Sequence, residues 1–414
     1  MSYRKHLIFV TTLLAVVLLP ANCPAILRAE TLGEPVLRAE TLGEPVATSG
    51  DGALYKIGRF KLVRLRGDWH EMGRQYGALM RNDIKAVHDK MRFGYGTILN
   101  KEKYDEVMAI AEEQLALYPK RFRELHRGIL DGSGLSLREV AVAEHVISAF
   151  CFLIDRGVFC SSLAVWGDFS SDGRLIFGRH FDFPILYRVF APQFCVTVFH
   201  PTDGSEPVAT LGYAGQMGCV QFFNAAGLTA EVNIAMGLPR PDDALHIDRI
   251  SVPVLLTACG FDCSTLPQLD AALRTYRFNF PLLCTVADMN GAKTFEAGTR
   301  TIVERSIDEP GLNTVSNWAL DDFWKGKAVR PFDKRRENLQ ASARERKGQI
   351  DFDAMKTILE RKCEDGGACE TSMPAGIRTL YQYAYEPKTR RLAFRLPAYE
   401  ERWTEVPLQA AFAE

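Results

Sequence analysis

The stretch GVFCSSLAVWGD, Gly157–Asp168, is where the character of the chain changes. Upstream, residues from about 66 to 156 carry apolar side chains at helical spacing, as in EVMAIAEEQLALYPKRFRELHRGI. Downstream, SSLAVWGD alternates and favours a strand, SSDG makes a turn, and RLIFGRHFDF makes a second strand. A cysteine, Cys160, stands at the start of that hairpin.

Outward from the hairpin the pattern repeats. QFCVTVFH, the TDGSE turn and PVATLGYA form one strand pair, and CVQFF, the NAAG turn and LTAEVNIA a second. LLCTVADM with AKTFEAG, and TLYQYAYE with RRLAFRL, are two more hairpins. Ile250 to Tyr276 reads as helix, and two helices are expected between Pro331 and Arg361. On the N-terminal side, Asp68 with Glu71 fits a helix cap, and Ser136 with Glu139 a capping box. Strands that come as hairpins, set between helical blocks, predict an α+β fold with antiparallel sheets rather than a βαβ array. There are strands enough for two sheets, with helices to cover the outer faces.

The chain has 414 residues, of which 47% are hydrophobic and 24% charged, and its net charge is -1. That composition supports a full core. No block of like charge stands out, so no nucleic-acid partner is implied. Arg4, Lys5 and His6 precede LIFVTTLLAVVLL, an apolar run of signal-peptide rather than transmembrane length. Residues 1–25 are therefore read as a signal peptide, with a lipoprotein signal at Cys23 and an uncleaved anchor as the alternatives. The protein is expected to be exported, periplasmic or extracellular, and to meet a membrane only through that signal. LRAETLGEPV, Leu27–Val36, is repeated unchanged at Leu37–Val46; with ATSGDG, Ala47–Gly52, it reads as linker over residues 26–58.

Of 10 cysteines, Cys23 lies in the signal region. Cys363 and Cys369 flank EDGGA, a loop that a local disulfide would close, whereas Cys195 and Cys284 sit in apolar runs as core thiols. HEMGR at His70 lacks the second histidine of a zinc helix, and no dinucleotide fingerprint or phosphate loop occurs, so no cofactor or metal is implied.

Alone, Cys160 fits a buried strand thiol. Its place at the helix-to-strand boundary supplies another reading. A cut between Phe159 and Cys160 would separate two pieces of unlike character and leave Cys160 N-terminal. An N-terminal cysteine carries its own base, since an α-amine has a pKa of about 8. With a turn centred on Ser171 and Asp172, pairing sets Asp182 almost opposite Ser161 and Arg179 about one pair further in. That returns a guanidinium and a carboxylate beside the thiol; a salt bridge at a sheet edge is the plain alternative. Asn233 and Asn317 offer side-chain amides suited to a developing oxyanion.

CSSLAVWGDFSSDGRLIFGRHFDF resembles the nucleophile hairpin of the cysteine N-terminal-nucleophile hydrolases, above all the acyl-CoA:6-aminopenicillanate acyltransferase family. GRQYGALM, LGYAGQMG and NAAGLTAEVN are similar to further segments of that family, and the likeness runs from about residue 60 to 395. The resemblance implies a four-layer αββα fold. It implies self-cleavage of a helical α-chain, residues 59–159, from a catalytic β-chain, residues 160–414. It implies chemistry at non-peptide amide bonds, as amidohydrolase or N-acyltransferase. Cys160 would be the nucleophile, Arg179 and Asp182 would close the hairpin around it, and Asn233 and Asn317 would hold the oxyanion and the α-amine. The expected partners are a small-molecule amide and an acyl-CoA or amine acceptor. His180 departs from the family, whose members often carry asparagine there. Arg378 is put forward for the C-terminal arginine of some relatives, and Ser161 is a rival nucleophile. Three other readings stay open: a bile-salt, penicillin V or lipid-amide hydrolase; an inactive exported binding protein; and a papain-like Cys–His pair using His180.

Overall fold

The computed structural model describes residues 41–98, 101–148, 159–239, 241–324, 333–371 and 376–413. The expected signal peptide, the first copy of the duplication, Cys23 and Cys151 lie outside them. Ten strands form one sheet, in the spatial order β1 (Ala47–Ser49), β2 (Gly52–Ile57), β3 (Phe60–Gly67), β6 (Phe194–Pro201), β7 (Val208–Tyr213), β8 (Gln221–Asn224), β9 (Thr229–Ile234), β10 (Leu282–Ala287), β11 (Ala292–Ala297) and β12 (Ile302–Arg305). Six form a second, in the order β13 (Leu312–Val315), β4 (Phe159–Gly167), β5 (Gly173–Pro184), β14 (Ile377–Glu386), β15 (Arg391–Leu396) and β16 (Glu400–Val406). The expected hairpins are present.

The two sheets are stacked. Phe60 of β3 and Phe194 of β6 meet the ring of Phe394 of β15 at 4.9 and 5.3 Å. Phe223 of β8 meets Tyr383 and Tyr385 of β14 at 5.2 and 4.6 Å. Helices cover both outer faces. On the ten-stranded sheet lie α1 (Trp69–Ile98) and α5 (Val252–Asp262); α5 is apolar all round and buried from Val252 to Phe261, as a helix enclosed on every side must be. On the six-stranded sheet lie α7 (Arg335–Glu345) and α8 (Phe352–Glu360), whose Leu339, Met355, Ile358 and Leu359 pack on Leu163, Val165 and Ile176. The α+β fold is thus built in four layers. Because β4 and β5 are covered on both faces, they are buried along most of their length, including polar residues such as Ser161, Arg179, His180 and Asp182.

The remaining helices are α2 (Lys101–Leu117), α3 (Lys120–Ser133), α4 (Leu137–Glu144), α6 (Leu266–Thr275) and the short α9 (Leu408–Phe412). Both expected caps form: Glu71 N donates to Asp68 Oδ1 at 2.8 Å, and Ser136 with Glu139 makes a full capping box. GRQYGALM finds its reason in packing. Gly73 and Gly77 of α1 cross Gly128 and Gly132 of α3 so closely that a methyl group on any of them would strike backbone of the other helix.

Several expectations are corrected. ATSGDG is not linker: Ser49 pairs with Gly52 across a two-residue turn, with Gly50 at φ +57°, because glycine and aspartate suit a tight hairpin as well as a flexible segment. The region before Cys160 is not wholly helical either, since β2 and β3 enter the large sheet. There β3 runs parallel to β6, the single parallel pair among the described strands. The hairpin that Cys160 opens is shifted by two residues, so that Phe159 faces Asp182, Cys160 faces Phe181 and Ser162 faces Arg179. Its turn is centred earlier, and an irregularity between Val165 and Gly167 changes the count. Cys363 and Cys369 are free thiols; the loop between them is closed by main-chain bonds, including Cys363 N to the Cys369 carbonyl at 2.9 Å. Among the described residues no helix is long and apolar enough to cross a membrane.

Candidate active site

Cys160 occupies the second position of β4, on the face turned toward the other sheet, and is only 2% exposed. Phe181 lies opposite it, and Tyr381 of β14 lies beyond, its ring stacked on Phe181 at 4.6 Å. The main-chain nitrogen of Cys160 donates to Asn317 Oδ1 at 2.7 Å. Asn317 follows β13, the strand paired with β4, and ties the two sheets together. Its Nδ2 donates to the Ile234 carbonyl at 2.8 Å, and its own carbonyl accepts from Met236 N at 2.6 Å.

Arg179 is fully buried beneath the thiol. Its Nη2 stands 3.7 Å from Cys160 Sγ, donates to the Val232 carbonyl at 2.6 Å and reaches Asn233 Oδ1 at 3.4 Å. Its Nη1 donates to the Val220 carbonyl and to Gln221 Oε1, each at 3.0 Å. Its Nε faces Glu231 Oε2 at 3.2 Å as an ion pair rather than an aligned hydrogen bond. Glu231 in turn accepts from Ser162 Oγ at 2.9 Å and lies 3.4 Å from Asn233 Nδ2.

Asp182 does not touch the thiol in this arrangement. It accepts from Arg335 Nη1 at 2.7 Å and from Thr379 Oγ1 at 2.6 Å. Arg335, from the first turn of α7, also reaches Asn317 Oδ1 at 3.2 Å and pairs with Asp333 at 2.9 Å. One amide oxygen therefore gathers the Cys160 nitrogen and a guanidinium that a buried carboxylate holds in place.

Burial decides the thiol's protonation. It pushes the Cys160 pKa up to about 11; Arg179 draws it down, but Asp182 and Glu231 add to the rise. In the uncut chain Cys160 is a neutral thiol at pH 7. Burial also raises Asp182 to about 6 against the pull of Arg335 and Thr379. Burial works against the charges of Arg179 and Arg335, yet both sit above the ordinary arginine value, because Glu231 with Cys160, Tyr381 and Tyr383 in the one case, and Asp333 with Asp182 in the other, together outweigh it.

Ser161 and His180 lie on the opposite face of the hairpin. Ser161 Oγ and His180 Nδ1 are 3.2 Å apart, and His180 Nε2 meets the Leu359 carbonyl at 2.8 Å. Gln382 Nε2 donates to the same carbonyl. These side chains satisfy the C-terminal end of α8, whose last carbonyls lack helical partners. Burial lowers the His180 pKa to about 3, so the ring is neutral. A Cys160–His180 dyad is thereby excluded, because successive strand residues point to opposite faces. Ser161 is fully buried under α8 and is no rival to the cysteine.

Cys160, Arg179, Asn233 and Asn317 are brought together, with Asp182 one residue removed behind Arg335. Arg378 is not: it donates to the neighbouring Ile377 carbonyl, and Arg335 is the arginine that reaches Asp182 and Asn317. Sequence reasoning missed Arg335, Glu231 and Thr379. Glu231 left a trace, as a charged residue within the strand-like LTAEVNIA. Arg335 sits in the charged run DKRRE and left none. Among the described residues no group of three or more His, Cys, Asp or Glu side chains is placed to hold a metal ion. A thiol with a guanidinium at its sulfur, a carboxamide at its own main-chain nitrogen and a second carboxamide nearby is suited to nucleophilic acyl transfer.

No protein-family model matches the chain. Among curated proteins it is similar to Protein dcd1A of Dictyostelium discoideum, 27% identical over 201 residues, which are 40% of this chain; the match spans 44% of that relative's length. Similar solved structures include a Caenorhabditis elegans ortholog of N-acylethanolamine-hydrolyzing acid amidase, at 15% identity over 55% of this chain and 93% of that one, with a TM-score of 0.38. They also include a variant of the conjugated bile acid hydrolase of Clostridium perfringens, at 14% identity over 60% and 93%, TM-score 0.43. A third is penicillin V acylase from Agrobacterium tumefaciens, at 12% identity over 57% and 83%, TM-score 0.39.

Proposed function

We propose that this chain is the precursor of a cysteine N-terminal-nucleophile amidase that cuts itself before Cys160 and then acts on non-peptide amide bonds. The observation that carries the reading is the placement of Cys160. Its nitrogen is held by Asn317 at 2.7 Å while Arg179 Nη2 stands 3.7 Å from its sulfur. Maturation begins with attack of the Cys160 sulfur on the Phe159 carbonyl carbon. The peptide C–N bond breaks, the thiol proton passes to the departing nitrogen, and a thioester remains. Water hydrolyses the thioester, leaving a Phe159 carboxylate, a free Cys160 thiol and a free α-amine.

That amine is the general base of the mature enzyme, because its pKa of about 8 lies near neutral pH. It takes the thiol proton as sulfur attacks a substrate amide, and gives it to the leaving amine. Asn317 Oδ1 accepts an N–H of the amine and so aims its lone pair. Arg179 stabilises the sulfur as it becomes anionic. Asn233 is the candidate donor to the tetrahedral oxyanion. Asp182 acts at one remove, by holding Arg335 against Asn317. The acyl-enzyme is released to water, giving a hydrolase, or to an acceptor amine, giving an N-acyltransferase. The basic and apolar N-terminus supports export.

The test is the intact mass of the purified protein beside a Cys160→Ala variant. The reading expects two wild-type chains, one beginning at Cys160, and an uncut variant. A folded wild type that stays whole removes the amine and the mechanism with it, and moves an exported binding protein to first place.

A further inference from the structure

Among the described residues, Glu231 is the charged group acting on Cys160 that the mechanism above leaves without a task. It is fully buried, and residues of β4, β5 and its own strand stand against its carboxylate. From β5 comes Arg179, its Nε 3.2 Å away. From β4 comes Ser162, whose hydroxyl donates at 2.9 Å. Asn233 of its own strand stands at 3.4 Å, Thr285 of β10 hydrogen-bonds it, and Cys284 and Tyr383 lie within its field. Burying a carboxylate costs several kcal/mol unless it is paired. An apolar residue could have stood in this strand; instead the chain places an anion 3.2 Å from Nε of the guanidinium whose Nη2 stands 3.7 Å from Cys160 Sγ.

The geometry of Arg179 shows what that anion does. Two carbonyls and Gln221 Oε1 hold its Nη atoms. At its Nε stands Glu231, with Oε2 3.2 Å away. We infer that Glu231 is a positioning residue for the nucleophile: it fixes the plane of Arg179 so that Nη2 faces Cys160 Sγ, and it offsets the guanidinium charge felt there. The inference rests on the amidase reading for its purpose but not for its test. Without Glu231, Arg179 would act on the sulfur with less opposition and enlarge its thiolate fraction at any given pH. With Glu231 present the sulfur stays a neutral thiol until the α-amine removes its proton. The other charges facing the sulfur are Arg179 itself and Asp182, with the Tyr381 and Tyr383 hydroxyls nearby, and Glu231→Gln leaves all of them in place.

The experiment is carboxamidomethylation of the purified protein by iodoacetamide from pH 7 to pH 12, with modification of Cys160 followed by peptide mass spectrometry. Wild type, Glu231→Gln and Glu231→Asp are compared, and each is first checked for cooperative unfolding. For Glu231→Gln the midpoint of the alkylation profile is expected to fall by about one pH unit, a tenfold larger thiolate fraction at fixed pH. Glu231→Asp keeps the charge but withdraws it by one methylene, and its midpoint falls in between. A purely structural Glu231 would lower stability and leave the midpoint alone, so a folded variant with the wild-type profile overturns the inference. If Glu231→Gln does not fold, the aspartate variant alone decides by the same criterion. Alkylation needs neither self-cleavage nor a substrate. A shifted midpoint in a chain that never cuts itself keeps the Glu231–Arg179–Cys160 coupling and removes the amidase; the reverse pattern removes only the coupling.

Discussion

The main-chain nitrogen of Cys160 donates to Oδ1 of Asn317 at 2.7 Å, although 157 residues separate them. The carboxamide cannot turn freely, because Arg335 Nη2 shares its oxygen at 3.2 Å and its Nδ2 is engaged by the Ile234 carbonyl. Replacing Asn317 by alanine would leave the nitrogen without its guide and the Arg335 fork without one acceptor. Self-cleavage and amide turnover are expected to fall on the order of 100-fold, the usual effect of losing alignment at a reacting group. Rates of chain separation on gels and of amide hydrolysis would measure it. Wild-type rates for a folded Asn317→Ala protein would remove Asn317 from the site.

Asp182 and Arg335 form a buried pair at 2.7 Å. Arg335→Met strips the Asp182 and Asp333 carboxylates of their shared cation and is expected to destabilise by about 3–5 kcal/mol, while Asp182→Asn leaves Arg335 paired with Asp333 and is expected to cost less. Together they should cost less than the sum. Urea unfolding of the two single variants and the double variant closes the cycle, and additivity within about 0.5 kcal/mol would show that the two are not coupled.

His180 makes the fold sensitive to acid. Its pKa is near 3 in the folded chain against 6.5 as the reference, so between those values the unfolded chain binds a proton that the folded one refuses. The stability tied to this group is complete above pH 6.5 and drains away as pH falls toward 3. Asp182 runs the other way: with its pKa raised from 3.8 to about 6, its share is complete below pH 3.8 and lost as pH rises through 6. Comparison with His180→Gln separates the two. Wild type should lose a few kcal/mol relative to the glutamine variant between pH 6.5 and pH 4; parallel stability curves would show that His180 does not titrate as described.

The loop of LGYAGQMG is gripped from the segment that precedes Cys160. Gly215 N donates to Tyr76 of α1 at 2.9 Å, and Met217 N and Gly218 N donate to Glu144 of α4 at 2.7 and 2.9 Å. Gly215 has φ +93°, and a methyl there would come within 2.5 Å of Ala143 Cβ. Gly215→Ala is therefore expected to destabilise by about 2–4 kcal/mol, from the left-handed backbone and overpacking together. It should also slow the reaction, since this loop leads to Val220 and Gln221, which hold Arg179. Thermal unfolding within a degree of wild type would contradict both effects.

The site was only partly legible in the sequence. Cys160, Arg179 and Asp182 lie within one hairpin, where period-2 alternation and a turn bring residues together by counting. Even there the count was off by two, because a strand irregularity beside a turn is a backbone choice that no residue type announces. Asn233 and Asn317 show in the sequence as amides near strand ends, and only the resemblance gives them roles at one site. Arg335 was not reached at all: on paper it is one arginine in a charged helix start. It becomes a buried partner of Asp182 only once α7 has packed on the six-stranded sheet.

By itself the sequence determined which segments become strands, which become helices, and where the change from helix to hairpin falls. Those are local properties, set by side-chain periodicity, turn residues and caps. The tertiary structure decided the rest: that the segment before Cys160 adds β3 beside β6, that His180 turns toward α8 and away from the thiol, and that Glu231, Arg179 and Cys160 line up across two sheets. These relationships join residues far apart in the chain. They arise because stacking two sheets buries charges that must then find partners, and chemical need between distant strands leaves no period in the sequence to be read.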